Sequence, residues 1–418
     1  MSNPQNSYPH QPYPPQQYQG QQPYYPQQPY GQPPYPQQQY PHQPYPQQPY
    51  PQQPYPQQPY PQQPYPQQSY PQQPYPPQSN QPQQPAYAQG QQPYAQMPVQ
   101  NQIPMQPNMP PIDQKKVDAD AAALRKAMKG LGTDEKAIIK IIANRTNRER
   151  LAMIDSFRRQ FNRDLLKDLK SELSGKFEDA TLALFKDPIE YDCYSLNKAM
   201  KGAGTNEDTL IEILATRPNY YINQIKEKYR ILYNKSLEQE LSSELSGDLK
   251  KVMLTLTSTE RSTNMSPNIT DCTNKVEQLY KAGEKRLGTD EKVFYDILTK
   301  ASPEEIKMMD KLYTQKYNHG LLKAIDKEFS GDLKKLLKTI ISVSMNPVDY
   351  FASRVNYAIK GLGTKDTLLI RILVTRDEID MPQIKQAYKR LYNKDMVKDI
   401  ENDTSGDYKR LLVELASH

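Results

Sequence analysis

Four times the chain reads Gly-x-Gly-Thr or a close relative, and each time a carboxylate follows the last glycine by 40 positions. Gly132 leads to Glu172, Gly204 to Glu244, Gly288 to Glu328 and Gly363 to Asp403. Each carboxylate stands two residues before a Ser-Gly pair: Glu172-Leu-Ser-Gly, Glu244-Leu-Ser-Gly, Glu328-Phe-Ser-Gly and Asp403-Thr-Ser-Gly. One such spacing would mean little. Four define an internal repeat, with periods of 72, 84 and 75 residues between the loop glycines.

Each unit reads as several short amphipathic helices. In the first, Val117, Ala121, Leu124 and Met128 fall on one helical stripe. Thr133 is placed to cap a helix carrying Ile138, Ile141 and Ile142. Leu151, Ile154, Phe157 and Phe161 make a third stripe, and Leu165, Leu166, Leu169 and Leu173 a fourth. A fifth follows Gly175 through Phe177, Leu182 and Leu184. Asp187-Pro188, Ser302-Pro303 and Asn346-Pro347 have the form of a capping residue with proline at the first helical position. No segment alternates with period two, so the core is all-α. The stretch between Ser258 and Thr273 is polar and breaks the rhythm, as a linker would, and it would divide the core into two halves of two units each. The resulting division is 1–112 tail, 113–186 first repeat, 187–258 second, 259–273 linker, 274–345 third and 346–418 fourth.

The loop residues suit a hard cation. Ca2+ takes six to eight oxygens at about 2.3–2.6 Å in a forgiving geometry. A loop offers several carbonyls to one point only if its backbone turns sharply, which glycine permits. Met128, Gly130 and Gly132 would give carbonyls, and Glu172 a bidentate carboxylate. One carboxylate per site predicts weak affinity, about 10⁻⁴–10⁻³ M. It also leaves positions open for an anionic lipid phosphoryl group. The same phrase also serves as a plain helix–helix turn, glycine closing one helix and threonine capping the next. The two readings are compatible. Neither a phosphate loop nor an EF-hand signature is present.

At these residues the chain resembles the annexin family, over about residues 113–418. The motifs are Met-Lys-Gly-Leu-Gly-Thr-Asp-Glu from Met128, Met-Lys-Gly-Ala-Gly-Thr-Asn-Glu from Met200, the pairs Thr216-Arg217 and Thr375-Arg376, and Asp-Thr-Ser-Gly-Asp-Tyr-Lys from Asp403. The resemblance implies four repeats of five helices in a curved disc, with calcium loops on its membrane-facing side. It implies ligand sets of Met128, Gly130, Gly132 and Glu172, then Met200, Gly202, Gly204 and Glu244. In the last unit they are Ile359, Gly361, Gly363 and Asp403. The third unit departs, with Arg286 in place of the first loop glycine. There the family's use of an upstream glycine implies Gly283, Arg286 and Gly288 with Glu328. Lys365 stands where the first two units have Asp134 and Asn206, which would weaken an accessory site there.

From Met1 to Ile112 there is no Lys, Arg, Asp or Glu, and 34 of the 40 prolines lie in that span. Its Tyr-Pro-Gln-Gln-Pro repeats cannot bury enough apolar surface to fold, so a disordered tail is expected. Such a tract serves as a spacer, or as a partner and self-association arm. It resembles the tails of synexin-type annexins. Pro33-Pro34-Tyr35-Pro36-Gln37-Gln38-Gln39-Tyr40-Pro41 resembles motifs bound by penta-EF-hand proteins. The tail being uncharged, the net charge of +6 belongs to the core. Lys129, Lys201 and Lys360 lie inside the loops, where they would meet lipid headgroups. Two cysteines give no disulfide framework, as in a reducing cytosol. No apolar run is long enough to span a bilayer.

A catalytic grouping is missing, since only His319 of the four histidines is internal. The expected function is therefore non-enzymatic: calcium-dependent binding to acidic phospholipid, with vesicle tethering, aggregation or trafficking roles. The protein would be cytoplasmic and peripheral on membranes when calcium rises. The alternative is a tail-driven condensing scaffold recruiting protein or RNA. No RNA-recognition motif appears, and basic residues interleave with acids rather than cluster, so no specific nucleic acid is expected.

Overall fold

The computed structural model describes residues 111–418 apart from Leu131 and Ala203. The expectations for the tail, through residue 110, lie outside the described residues. The described chain is helical throughout, five helices to a unit. Unit 1 holds α1 (Gln114–Ala127), α2 (Glu135–Ala143), α3 (Asn147–Phe161), α4 (Leu165–Glu172) and α5 (Gly175–Leu184). Unit 2 holds α6 (Pro188–Met200), α7 (Glu207–Thr216), α8 (Asn219–Tyr233), α9 (Leu237–Glu244) and α10 (Gly247–Thr257). Unit 3 holds α11 (Ile269–Ala282), α12 (Glu291–Lys300), α13 (Pro303–Tyr317), α14 (Leu321–Glu328) and α15 (Gly331–Met345). Unit 4 holds α16 (Pro347–Ile359), α17 (Asp366–Arg376), α18 (Met381–Tyr392), α19 (Met396–Asp403) and α20 (Gly406–Ser417).

Local chemistry sets the boundaries. The three residue–proline starts are real: Asp187, Ser302 and Asn346 each accept a first-turn N–H, with proline opening the helix behind them. Ser302 and Glu305 complete a reciprocal capping box, as do Thr146 and Glu149. The third helix of every unit ends on an asparagine in the left-handed region: Asn162, Asn234, Asn318 and Asn393, with φ of 50° to 62°. Thr133 is not the cap of α2. Asp134 holds that position and accepts the Ala137 N–H at 3.0 Å.

The stripes are buried, with adjustments. Val117, Ala121 and Leu124 are sealed on α1, and Leu165 and Leu169 on α4. On α3 the buried residues are Arg150, Met153, Ser156 and Phe157, while Leu151 and Ile154 are only half-buried. The core does divide in two, but not by order in the sequence. One cluster joins unit 1 to unit 4, for example Ile138 and Leu184 with Leu373 and Leu412. The other joins unit 2 to unit 3, for example Leu210 and Val252 with Phe294 and Leu337. The polar stretch after Ser258 therefore runs within one core rather than between two. Its helical part begins at Ile269, and its irregular part is fastened: Ser262 N–H to Lys300 O (2.7 Å), Ser302 Oγ to Asn264 O (2.7 Å), Asn219 Nδ2 to Arg261 O (2.7 Å).

Both cysteines are buried and unpaired, on α6 and α11. Burial pushes the Cys193 thiol up to about 12, consistent with an inert core residue. Among the described residues no helix is long and apolar enough to cross a membrane.

Candidate metal sites

Each unit joins its first helix to its second through a glycine loop closed by one backbone bond. The bonds run from Asp134 N–H to Ala127 O (2.9 Å), Asn206 to Ala199, Asp290 to Ala282 and Lys365 to Ala358 (2.8 Å each). The side chains of Met128, Met200 and Ile359 are buried and anchor the loop entrance in the core. Beyond them the chain takes torsions that side-chain-bearing residues avoid: φ of +122° and +87° at Gly130 and Gly132, +109° and +91° at Gly202 and Gly204, +121° and +78° at Gly361 and Gly363. Among the described residues, no backbone N–H donates to the carbonyls of Met128, Gly130, Gly132, Met200, Gly202, Gly204, Ile359, Gly361 or Gly363. These oxygens remain available as ligands.

The third loop is built differently. Its closing bond spans one residue more than the others. Gly288 takes a positive φ of 76°, but Arg286 does not share that region. Gly283 faces the carboxylate directly, since a Cβ there would lie 3.0 Å from Glu328 Cγ. The Gly283 carbonyl already accepts the Arg286 N–H at 2.9 Å, leaving one lone pair free.

A threonine brings each carboxylate to its loop. Thr133 Oγ1 donates to Glu172 Oε2 at 2.7 Å and Thr205 to Glu244 Oε2 at 3.4 Å. Thr289 donates to Glu328 Oε2 at 2.6 Å and Thr364 to Asp403 Oδ2 at 2.7 Å. The first-to-second-helix loop is thus fastened four times to the end of the fourth helix. Thr133, expected as a helix cap, makes this link instead. Its signal was present in the fixed spacing of Gly-Thr to carboxylate.

The four carboxylates form no ion pair among the described residues. Glu172 and Glu244 are exposed, and Glu328 and Asp403 half-exposed. An uncompensated carboxylate beside free carbonyl oxygens is an all-oxygen donor set. That chemistry selects hard divalent cations such as Ca2+ over thiolate- or imidazole-seeking metals. Among the described residues no three His, Cys, Asp or Glu side chains come together as a metal site. That accords with loops in which the backbone supplies most ligands.

Lys129, Lys201 and Lys360 are exposed on their loops, and Lys201 Nζ also lies 5.8 Å from the Tyr233 ring. Leu287 and Leu362 are wholly solvent-exposed at two loop tips. Loops 2 and 4 flank a cleft of about 500 Å3 whose lining includes Thr205, Asn206, Lys365 and Asp366. Beneath it, buried Glu212 accepts from Arg371 (2.8 Å) and Arg354 (3.2 Å), tying unit 2 to unit 4. Burial raises the Glu212 carboxyl pKa, but the two guanidiniums outweigh that and hold it below the usual range. This tie, too, was not foreseen from the sequence.

The annexin family model matches the chain four times, over residues 119–184, 191–256, 275–340 and 350–415. Human annexin A7 is 44% identical over 294 residues, covering 70% of this chain and 60% of its own length. Rabbit (Oryctolagus cuniculus) annexin A11 is 41% identical over 296 residues, covering 71% and 59%. The chain thus aligns with about three fifths of the length of these relatives. Among solved structures, chicken annexin V superposes with a TM-score of 0.70 at 38% identity, covering 74% of this chain and 97% of that one. A calcium-bound annexin (Sm)1 gives 0.64 at 32% identity, covering 74% and 92%.

Proposed function

The chain belongs to the annexin family, whose members are calcium-dependent phospholipid-binding proteins rather than enzymes, and on that premise we propose that it binds acidic phospholipid membranes in a calcium-dependent, peripheral and reversible way. One observation carries this reading: in all four units a carboxylate that forms no ion pair among the described residues accepts from the threonine of a loop turned by one or two positive-φ glycines. The proposed ligands are the carbonyls of Met128, Gly130 and Gly132 with Glu172, and of Met200, Gly202 and Gly204 with Glu244. In the third unit they are Gly283, Arg286 and Gly288 with Glu328, and in the fourth Ile359, Gly361 and Gly363 with Asp403. A bound cation would supply positive charge, and lipid phosphoryl oxygens would fill the coordination positions these residues leave open. Lys129, Lys201 and Lys360 add attraction for anionic headgroups, about 1 kcal/mol per lysine close to the surface. Leu287 and Leu362, exposed in water, become buried if the loops enter the interfacial layer.

We further propose that the protein works in the cytoplasm and tethers vesicles when calcium rises. The Tyr/Pro-rich tail then supplies self-association or a dock for a penta-EF-hand protein. Several weak sites engaging one bilayer gain by effective concentration. Pelleting with acidic vesicles tests the central reading. Binding should require calcium and reverse on adding EGTA; adsorption that survives EGTA would make it simple basic attraction. Glu172→Gln, Glu244→Gln and Asp403→Asn together should raise the calcium requirement while leaving helical signal and melting temperature near wild type. If the triple variant pelleted at wild-type calcium, the ligand assignment would fail.

A further inference from the structure

Units 1, 2 and 4 share an internal bond that unit 3 has moved. In each, the left-handed asparagine ending the third helix is followed by a cation, and the next helix supplies an acid to meet it. Arg163 pairs with Asp168 (2.7 Å), Lys235 with Glu240 (2.6 Å) and Lys394 with Asp399 (3.7 Å). In units 2 and 4 the same acid also receives a buried tyrosine hydroxyl, Tyr229 to Glu240 (3.3 Å) and Tyr388 to Asp399 (2.8 Å). In unit 3 that register of α14 holds Ala324, which is sealed in the core. The tyrosine remains as Tyr313, and His319 takes the position of the basic residue. Their acid is Glu284, in the third metal loop.

Glu284 accepts three donors: Tyr313 OH at 2.7 Å, His319 Nε2 at 3.0 Å and Lys327 Nζ at 2.5 Å. Its side chain is only 11% exposed. Burial raises its pKa, yet the hydrogen bonds from Lys327 and Tyr313 keep it below the ordinary range, so it is held as a carboxylate. The contact partner Lys327 immediately precedes Glu328. The loop therefore grips the helix end that carries its own carboxylate. Nearby, Tyr280 of α11 stacks on Tyr317 of α13 at 3.9 Å, and the Tyr280 carbonyl receives the Lys285 N–H.

We propose that Glu284 is the positioning residue of the third metal site. It fixes the longer, glycine-poor loop so that Gly283 and Gly288 face Glu328, a task the first loop glycine performs elsewhere. This rests on the calcium reading above. It makes the third site dependent on a tyrosine–acid bond that is merely structural in units 2 and 4. Groups that orient metal ligands typically cost about 10- to 100-fold in affinity when removed.

The test uses the full chain carrying Glu172→Gln, Glu244→Gln and Asp403→Asn, which leaves the third site alone. Calcium binding is measured by titration calorimetry with acidic vesicles present, alongside melting temperature without calcium. Adding Glu284→Gln should weaken the remaining site about 10- to 100-fold. Adding Glu240→Gln instead should lower the melting temperature comparably and leave calcium affinity unchanged. Equal affinity with and without Glu284→Gln would overturn the proposal, as would equal weakening by both variants. If the triple background bound no calcium while the wild type did, the third-site assignment itself would fall, with the other three intact. Failure of the wild type to bind would instead remove the calcium reading.

Discussion

A threonine hydroxyl donating to a carboxylate contributes about 0.5–1.5 kcal/mol net, but its effect in these loops is on geometry. Without it Glu172 or Asp403 is an exposed or half-exposed side chain free to sample several rotamers, and ordering it would fall on the proposed cation. Thr133→Val or Thr364→Val should therefore raise the calcium needed for vesicle binding, by roughly tenfold on the scale of ligand-orienting groups. The melting temperature should barely move. Thr205→Val should do less, because the Thr205–Glu244 bond is already long at 3.4 Å. Vesicle pelleting across a calcium series checks the ranking; an equal effect at all three positions would show that the bond length carries no information. The loops and carboxylates of the proposed sites were legible in the sequence because a Gly-Thr and a carboxylate recur at one spacing. The threonine's role was not, because threonine is also a common helix cap, and here the neighbouring Asp134 takes that duty.

The proline-marked helix starts were legible, the cap of α2 and the helix faces less so. The residue–proline starts at Asp187, Ser302 and Asn346 depend on a few adjacent residues and appear as expected. The face of α3 depends on what lies opposite, and it rotates to seat Arg150 against Asp377 and Glu378 of unit 4. No local pattern announces a partner more than 200 positions away. The start of α17 shows a local rule broken. Its cap position holds Lys365, which makes no capping bond, whereas Asp134 and Asn206 do in α2 and α7. A cation also opposes the positive end of the helix dipole. Lys365 instead lies over the Tyr357 ring at 4.4 Å. Lys365→Asp should stabilise the protein by about 0.5–2 kcal/mol through the restored cap, seen as a higher denaturation midpoint at constant m-value. A lower midpoint would mean that the Tyr357 contact outweighs the cap.

At the scale of the molecule, packing partners do not follow chain order: unit 1 shares its core with unit 4, and unit 2 with unit 3. Apolar periodicity marks which residues must be covered, not what covers them, so four units were legible and their pairing was not. A chain ending at Ser258 would contain half of each core. It should lack cooperative melting and bind hydrophobic dyes; a sharp transition in that fragment would contradict the pairing. Removing the tail is a different cut. A chain beginning at Asp113 keeps both cores and all four loops, so it should bind vesicles at nearly the full-length calcium requirement. It should lose the added turbidity contributed by the 17 tail tyrosines, and equal aggregation by both chains would place tethering in the core. The pairing of first unit with last also fixes a copy number. Stacked repeat arrays grow because each end offers an unfinished face to the next repeat. Here every unit already has its apolar partner, so nothing is left to extend. A fifth copy spliced between Ser258 and Ile269 would be a bachelor, exposed to proteases while the original quartet stays shut, and this architecture can enlarge only by doubling.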